Sequence, residues 1–385
     1  MRKKIGIYIH VPFCIKKCGY CDFNSYSNME GIINEYVEAI KKEISIISYQ
    51  PYEIISIFFG GGTPTVLESR QLIEILESCK SLFNLRADVE ITIEANPETL
   101  TIDKLRELRR EGFNRISIGV QSFNDRLLKK LGRVHDSKKA YQQVLLARDA
   151  NFENISIDLM FGIPDETIDD WESDIKTAIE LNPDHISTYN LTIEKGTQFW
   201  SKTQAKACGY QLPDEDKQLE MYERGIEFLT MAGYGHYEIS NFAKHSKKCL
   251  HNQIYWRNEE YLGIGAGAYS YIDRERRWNI KSPVEYMGKI KEHGARGEGR
   301  GAVAGSERLE MKGVMGETIM MGLRMLKGIN LQNFKKRFGV EIQSTFSDVI
   351  SRLLSNNLII FDNGNLKLTH KGLLFYNDVS IEFLS

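Results

Sequence analysis

The distribution of apolar and polar positions repeats one unit six times between residue 4 and about residue 195. Each unit is a short apolar or β-branched run, a turn, and a stretch with helical periodicity. The runs predict strands at 5–11, 54–59, 89–95, 115–120, 154–160 and 185–190. The stretches between them predict helices at 32–47, 69–83, 102–111, 137–150 and 168–180. Regular alternation of this kind favours parallel strands with right-handed crossovers, in an open sheet or in a barrel.

Polar or glycine-rich residues stand at the carboxyl end of all six predicted strands. In chain order they are a cysteine loop, Gly60 to Thr63, Glu94 with Asn96, Gln121, Asp158, and Tyr189 with Asn190. Barrels of alternating strands and helices build their sites from this end of several strands, whereas an open sheet concentrates function at one switch point. The pattern therefore predicts an α/β fold, a partial TIM-like (β/α)6 barrel, with its site at that end.

The pattern changes after the sixth predicted strand. A helix is predicted at 213–232, then mixed strand and loop segments, and residues 295–307 are small, polar and glycine-rich, as expected of a linker. The last segment combines helices with an Asn-Gly turn between apolar runs, which predicts a helical, winged-helix-like unit. We predict a barrel core at 1–200, an extension of it at 201–300 and a C-terminal domain at 301–385.

Composition narrows the class of protein. With 385 residues, 42% hydrophobic, 26% charged and a net charge of -2, the chain is expected to form two cores and gives no electrostatic support for nucleic-acid binding. No apolar run approaches the roughly 18 residues that cross a bilayer, so only peripheral membrane contact is expected. The first residues are expected to form a strand, and the expected location is the cytoplasm. Of six cysteines, Cys79, Cys208 and Cys249 are scattered, which fits a reducing compartment.

The other three cysteines, Cys14, Cys18 and Cys21, lie within eight residues in a Cys-x3-Cys-x2-Cys arrangement. Three thiolates on one loop can each bind one iron of a four-iron four-sulfur cluster, leaving the fourth iron without a protein sulfur. Such an iron can be chelated by an amino and a carboxylate group, and S-adenosylmethionine carries both. The alternatives are a zinc site with His10 as fourth ligand, a redox pair of Cys18 and Cys21, or unrelated free thiols.

The segments IYIHVPFCIKKCGYCDF and FFGGGTPT resemble the radical S-adenosylmethionine superfamily. The resemblance implies that the cluster passes one electron to the sulfonium of S-adenosylmethionine, while the protein orients that cofactor. It also implies that the glycine segment binds the amino group of the cofactor. The positions that match the family's cofactor contacts are Tyr8, Tyr20, Gly61, Gly62, Thr63, Glu94, Gln121, Arg133 and Asp158.

Within that superfamily the chain resembles the branch that contains the coproporphyrinogen III dehydrogenase HemN and the haem chaperone HemW. Asp22 and Phe23 follow the last cysteine where the dehydrogenase has a further cysteine, and only thirteen residues precede Cys14. The segment HNQIYW matches the haem-binding HNxxYW signature of the chaperones, which implies haem contacts at His251, Asn252, Tyr255 and Trp256. Without that match, the pattern would favour an ordinary core or surface histidine at position 251.

The resemblance therefore implies a haem chaperone that holds the cluster and S-adenosylmethionine and delivers haem to respiratory haem proteins. The alternative is the oxidative decarboxylation of coproporphyrinogen III to protoporphyrinogen IX, and a radical enzyme with an unrelated substrate stays open. The sequence does not decide whether the protein forms a homodimer.

Overall fold

The computed structural model describes residues 2–47, 52–205, 210–296 and 301–384. Cys208 and the middle of the predicted linker lie outside these ranges. Within them, a twelve-stranded sheet and a separate three-stranded sheet organise the two larger hydrophobic cores, and a smaller cluster forms around Leu127 and Phe199. None of the described helices is long and apolar enough to cross a membrane.

The six predicted units form the centre of the large sheet. Its strands are β1 Lys3–Val11, β2 Tyr52–Gly61, β3 Asn84–Ala95, β4 Arg115–Gln121, β5 Ile155–Phe161 and β6 His185–Asn190. The helices in this part of the chain are α1 Ile33–Ile47, α2 Ser69–Leu82, α3 Ile102–Arg110, α4 Asp125–Leu131, α5 Ser137–Asp149, α6 Ile168–Glu180 and α7 Gln198–Gln204. Consecutive strands pair in parallel from β1 to β6, as predicted.

The following segment extends the same sheet at both of its edges. Its elements are α8 Glu215–Met231, β7 Gly235–Glu238, β8 Asn241–Ala243, α9 Leu250–Trp256, β9 Tyr261–Ile264, β10 Tyr269–Ile272, β11 Glu275–Asn279, α10 Pro283–Arg296 and β12 Val303–Arg308. Strand β9 pairs in parallel with β1, and β8 pairs antiparallel with β6. The strand order runs from β12 to β7 without closing, so among the described residues this is an open, partial barrel.

The parallel strands separate apolar and polar side chains onto opposite faces because successive side chains alternate along a strand. In β4, the side chains of Ile116 and Ile118 belong to the main apolar core. Ser117, between them, instead donates a hydrogen bond to Asp158 of β5. This part of the inner face of the partial barrel is therefore polar and can bind a polar ligand.

The C-terminal unit has its own core around Ile319, Phe334 and Leu353. Its elements are α11 Met311–Gly322, β13 Ile329–Asn330, α12 Leu331–Phe338, α13 Ile342–Thr345, α14 Ser347–Ser355, β14 Ile359–Asp362, β15 Asn365–Leu368, α15 His370–Leu374 and α16 Tyr376–Ile381. Strands β14 and β15 form the hairpin predicted at the Asn-Gly turn, and β13 pairs with β15. This is the helix and small-sheet arrangement expected of a winged-helix-like unit.

The predicted linker at 295–307 is wrong where the structure describes its second half. Residues 303–308 form the edge strand β12, which pairs antiparallel with β11 over five positions. Gly305 faces the ring of Trp278, where a side chain would meet the indole at 2.5 Å, so close packing explains this glycine. The division of the chain into three domains stays a prediction, since the extension shares its sheet with the core.

Candidate functional site

The cysteine loop leaves β1 at its carboxyl end and is tied back to the strand by its own backbone. Cys14 N–H donates to the carbonyl of Tyr26 at 2.9 Å, and Tyr26 N–H donates to the carbonyl of Pro12 at 2.7 Å. The three thiols of the loop are half-buried and line one cavity of about 380 Å³. The structure therefore brings Cys14, Cys18 and Cys21 to a common opening.

A second set of contacts fixes His10 away from that opening. Its Nδ1 shares a hydrogen bond with the Tyr8 hydroxyl at 3.1 Å, and its Nε2 shares one with the carbonyl of Asn24 at 2.8 Å. Both nitrogens are engaged, so His10 does not complete a zinc site with the thiols. No three His, Cys, Asp or Glu side chains among the described residues converge as they would around one metal ion. A four-iron cluster needs no such convergence, because each thiolate binds a different iron.

The glycine triplet, Gly60 to Gly62, packs against the residues that lead into the cysteine loop. Gly61 has a φ of +113°, and a side chain there would meet the ring of His10 at 2.6 Å. A side chain at Gly62 would meet the carbonyl oxygen of Phe13 at 2.6 Å. The Gly62 and Thr63 N–H groups donate to Val11 and Phe13 carbonyls, both at 2.8 Å. The triplet thus lets the end of β2 lie against the cysteine loop, and its backbone also lines the cavity.

Replacing Gly62 with alanine is expected to lower the free energy of unfolding by about 2 to 3 kcal/mol, because the new methyl group has to displace backbone rather than a flexible side chain. Urea unfolding monitored by circular dichroism measures the change. Gly313→Ala is the matched control, since Gly313 has nothing within 4 Å of its side-chain position. Equal stability of the two variants would contradict this account of the triplet.

A chain of hydrogen bonds connects two of the cysteines through Arg133. Arg133 donates from Nη1 to Cys18 Sγ at 3.6 Å and from Nη2 to Asn96 Oδ1 at 2.7 Å. Asn96 Nδ2 in turn donates to Thr63 Oγ1 at 2.9 Å, and that hydroxyl donates to Cys14 Sγ at 3.6 Å. The strand-end pattern placed Asn96 beside Glu94, but Asn96 was not among the predicted S-adenosylmethionine contacts; it lies one residue past the end of β3.

Two carboxyl groups lie inside the barrel beneath this network. Burial, together with repulsion from Asp158, raises the pKa of Glu94 to about 8, and burial also raises the pKa of Asp158. Glu94 Oε2 accepts a hydrogen bond from Gly61 N–H at 3.3 Å, and Asp158 accepts from Ser117 Oγ at 3.1 Å. Neighbouring half-buried carboxyl groups with raised pKa values are typical of functional sites.

The donor groups fit the cofactors that the sequence implies. Burial raises the pKa of the Cys14 and Cys21 thiols, so their thiolate forms require a positive partner such as iron. Arg133 Nε is buried without an acceptor, and a bound carboxylate would supply one. Among the nine predicted S-adenosylmethionine contacts, the cavity is lined by Tyr20, Gly61, Gly62, Thr63, Glu94, Gln121, Arg133 and Asp158. The remaining one, Tyr8, packs beside Phe58 with ring centroids 6.2 Å apart.

The HNQIYW segment lies on α9, which fills the amino end of the partial barrel. His251 is 1% exposed and stacks on Phe58 at 5.0 Å between ring centroids. Its Nδ1 shares a hydrogen bond with Ser56 Oγ at 2.8 Å, and its Nε2 shares one with the Tyr255 hydroxyl at 2.9 Å. Burial and the nearby charge of Arg115 lower the pKa of His251 to about 3, so the ring is neutral. In this conformation neither ring nitrogen is free to bind iron.

The other motif residues point to different surroundings. Tyr255 packs edge-on against His251 at 4.9 Å, inside the barrel, and Asn252 is half-buried. Trp256 instead faces the C-terminal unit, where the guanidinium of Arg324 lies over its ring at 4.3 Å. The motif therefore has an inner face, which closes the barrel, and an outer face.

Comparison with known proteins identifies two family models in this chain. Residues 8–178 match the model described as the radical SAM superfamily, and residues 312–375 match the HemN C-terminal domain. The chain is 37% identical to the heme chaperone HemW of Bacillus subtilis over 380 residues, covering 98% of both proteins. It is 41% identical to heme chaperone HemW of Escherichia coli over 272 residues, covering 70% of both.

Among solved structures, the fold is similar to that of the coproporphyrinogen III oxidase HemN from Escherichia coli, described as a radical SAM enzyme. The TM-score is 0.86 and the sequence identity is 25%. The match covers 100% of this chain and 91% of the HemN chain, so the C-terminal unit belongs to the shared architecture.

Proposed function

This chain belongs to the HemW family of radical SAM proteins, and on that premise we propose that it is a haem chaperone, which binds haem and transfers it to acceptor haem proteins. The observation that carries the proposal is the full-length similarity to proteins named heme chaperone HemW. The cavity that thiols, carboxyl groups and Arg133 share is consistent with the radical SAM part of this assignment.

We propose that Cys14, Cys18 and Cys21 hold a four-iron four-sulfur cluster at this cavity. When bound, the cluster and S-adenosylmethionine supply one-electron chemistry at the sulfonium. Arg133 would pair with the carboxylate of S-adenosylmethionine, and Glu94 and Asp158 would accept hydrogen bonds from its ribose hydroxyls. Tyr20 and Gln121, at the rim, would border the same ligand.

Haem uptake is tested by adding haem to the anaerobically reconstituted protein and recording Soret difference spectra. We expect a saturable Soret band at one haem per chain. We also expect transfer of that haem to an apo haem protein, which is then separated by an affinity tag and assayed for haem. Failure to take up haem would contradict the proposed function.

His251 is proposed to bind haem only after α9 moves, since its ring nitrogens are engaged with Ser56 and Tyr255 in the closed conformation. Two variants separate ligation from folding. His251→Ala is expected to lose haem affinity and about 2 to 4 kcal/mol of stability, because it leaves a cavity and unpaired hydroxyl groups. Ser56→Ala is expected to lose about 1 kcal/mol of stability yet bind haem more tightly, because it weakens the closed state.

Haem titration and urea unfolding on both variants provide the measurement. If Ser56→Ala binds haem no better than the unmodified protein, while His251→Ala loses only stability, His251 has a structural role and is not a haem ligand.

The second candidate function is the dehydrogenase activity, which the structural similarity to HemN favours. An anaerobic assay with reductant, S-adenosylmethionine and coproporphyrinogen III tests it. The chaperone proposal predicts no sustained formation of protoporphyrinogen IX. Turnover at a rate comparable with that of a HemN control would show that the protein is a dehydrogenase and would contradict the chaperone proposal.

The partners and location that we propose follow from the same function. Haem is the bound partner, respiratory haem proteins are the proposed acceptors, and contact with the membrane would be peripheral. The proposed location is the cytoplasm, where the five described cysteines, all free thiols, would stay reduced. Gel filtration of the reconstituted protein with and without haem tests whether it forms a homodimer.

A further inference from the structure

The outer face of the HNQIYW helix borders a cleft that the proposed cofactor site does not use. This α9 cleft has a volume of about 730 Å³ and lies between the end of α9, helix α11 and helix α12. Its volume is within the range of roughly 300 to 1,000 Å³ that is usual for sites of small molecules and cofactors.

One wall of the α9 cleft is apolar and aromatic. Trp256 and Phe338 of α12 line this wall, and the ring of Phe338 packs on Phe334, a core residue that is 2% exposed, with ring centroids 4.6 Å apart. Arg324 covers part of Trp256 at 4.3 Å, and Trp256 Nε1 is buried without an acceptor. Aromatic walls of this kind suit a flat, apolar ring.

The rim of the α9 cleft is basic. Four of its lining side chains are cationic, namely Arg257, Lys327, Lys336 and Arg337, against one acid, Glu259. Arg337 is held by donating to the carbonyls of Arg257 and Asn258, at 3.0 and 2.7 Å. Lys327 and Lys336 are exposed, and no described carboxylate forms an ion pair with either ammonium group. The cleft therefore pairs an apolar wall with cations that can receive carboxylates.

Glu259 is the one acidic residue that lines the α9 cleft, and its carboxylate would repel an anionic ligand. Burial raises the pKa of Glu259, while Arg257 and Arg337 act in the opposite direction. The positive charges of Arg257 and Arg337 offset the negative charge of Glu259, so it opposes an anionic ligand less than an isolated carboxylate would.

Another apolar cavity, about 550 Å³ between α8 and the C-terminal hairpin, lacks this feature. Its lysine, Lys367, is paired with Asp362, and His370 lies 3.8 Å from Glu223. Its basic side chains thus already face acids, and it offers less to a dicarboxylate ligand.

We propose that the α9 cleft is where the haem macrocycle docks, with its ring against Trp256 and Phe338 and its two propionates on Lys327 and Lys336. This inference rests on the proposed haem function and gives that function a location on the C-terminal unit. Docking of the ring in the cleft and ligation of its iron are separate steps: docking needs no movement of α9, whereas the proposed ligation by His251 does. The HNQIYW helix then contributes to docking through Trp256, its outward-facing residue.

The test uses the full-length protein and metal-free protoporphyrin IX, whose binding does not depend on an iron ligand and is followed by fluorescence. The unmodified protein is expected to bind protoporphyrin IX about tenfold more tightly than its dimethyl ester, since the ester lacks both charges. The double variant Lys327→Glu with Lys336→Glu is expected to lose that preference. The control, Lys138→Glu with Lys291→Glu, makes the same charge change on exposed helix positions away from the cleft.

A second variant keeps the test independent of how the lysine changes affect folding. Glu259→Gln removes the one acid of the α9 cleft and is expected to tighten protoporphyrin IX binding by about two- to fivefold, with no effect on the ester. If both cleft variants bind porphyrin as the unmodified protein does, and the unmodified protein takes up haem normally, the proposed docking site is wrong. The chaperone proposal would not be affected by that result. Absence of haem uptake in the unmodified protein would reject the proposed function and, with it, the cleft.

Discussion

Serine in place of Cys18 is expected to reduce the iron content of the anaerobically reconstituted protein from about four per chain to less than about one, because an alcohol is a poor substitute for an iron-bound thiolate. Binding of S-adenosylmethionine is expected to weaken by at least about tenfold in the same variant, since the open iron is lost and the partner of Arg133 changes. Iron and sulfide analysis and equilibrium dialysis with labelled S-adenosylmethionine give the two values.

Cys79→Ser is the control for this variant. Cys79 is buried on α2, and burial raises the pKa of its thiol to about 12, so it has no thiolate to offer a metal. The Cys79→Ser variant should be less stable than the unmodified protein but should contain the same amount of iron. A Cys18→Ser protein that retains the full iron content would show that the loop does not hold the metal as we propose.

Glutamine in place of Glu94 is expected to have opposite effects on stability and on ligand binding. The folded-state pKa of Glu94 is about 8, above its ordinary value of 4.5, so the folded protein retains a proton that the unfolded chain releases between these values. The free energy of unfolding of the unmodified protein therefore falls as the pH rises through that interval, by an amount on the order of a few kcal/mol. Glu94→Gln removes this pH-dependent loss of stability. The variant should therefore be more stable than the unmodified protein at pH 9, and the two proteins should be similarly stable near pH 5.

S-adenosylmethionine affinity is expected to fall by about tenfold in the same variant, because an amide replaces the proposed acceptor of the ribose hydroxyls. Urea unfolding at the two pH values without S-adenosylmethionine, and dialysis with it, separate the effects. Glu30→Gln, at an exposed position, is the control. A variant that binds S-adenosylmethionine normally would remove Glu94 from the proposed site, whatever its stability.

The sequence was sufficient for the core of the fold because local pattern and topology agree there. Each β-branched run is followed by an amphipathic helix, and only a parallel sheet accommodates six such units in succession. The short helix α4 and the seventh parallel strand β9 were missed. Seven residues of helix and four of strand carry too little periodicity to be recognised.

The site was predictable where chain position alone determines it. Strand ends meet at one edge of a parallel sheet, so the order of the strands is enough to place Gly62, Glu94 and Asp158 near the cysteine loop. The alternation within β4 and β5, where isoleucines flank Ser117 and Asp158 follows Ile157, also carried this information.

Contacts between distant segments could not be inferred in this way. The hydrogen bond between His251 and Ser56 joins residues 195 positions apart, and the sequence around either residue gives no sign of the other. The linker prediction failed for the same reason, because β12 is a strand only through its pairing with β11.

The central claim is that three thiolates of this chain leave one iron of a cluster open to S-adenosylmethionine. Electron paramagnetic resonance of the reduced, reconstituted protein, recorded before and after addition of S-adenosylmethionine labelled with 17O in its carboxylate, tests it most directly. The account predicts a four-iron signal that shifts on addition and broadens with the label. A signal that S-adenosylmethionine leaves unchanged, or a protein that contains zinc in place of iron, would contradict it.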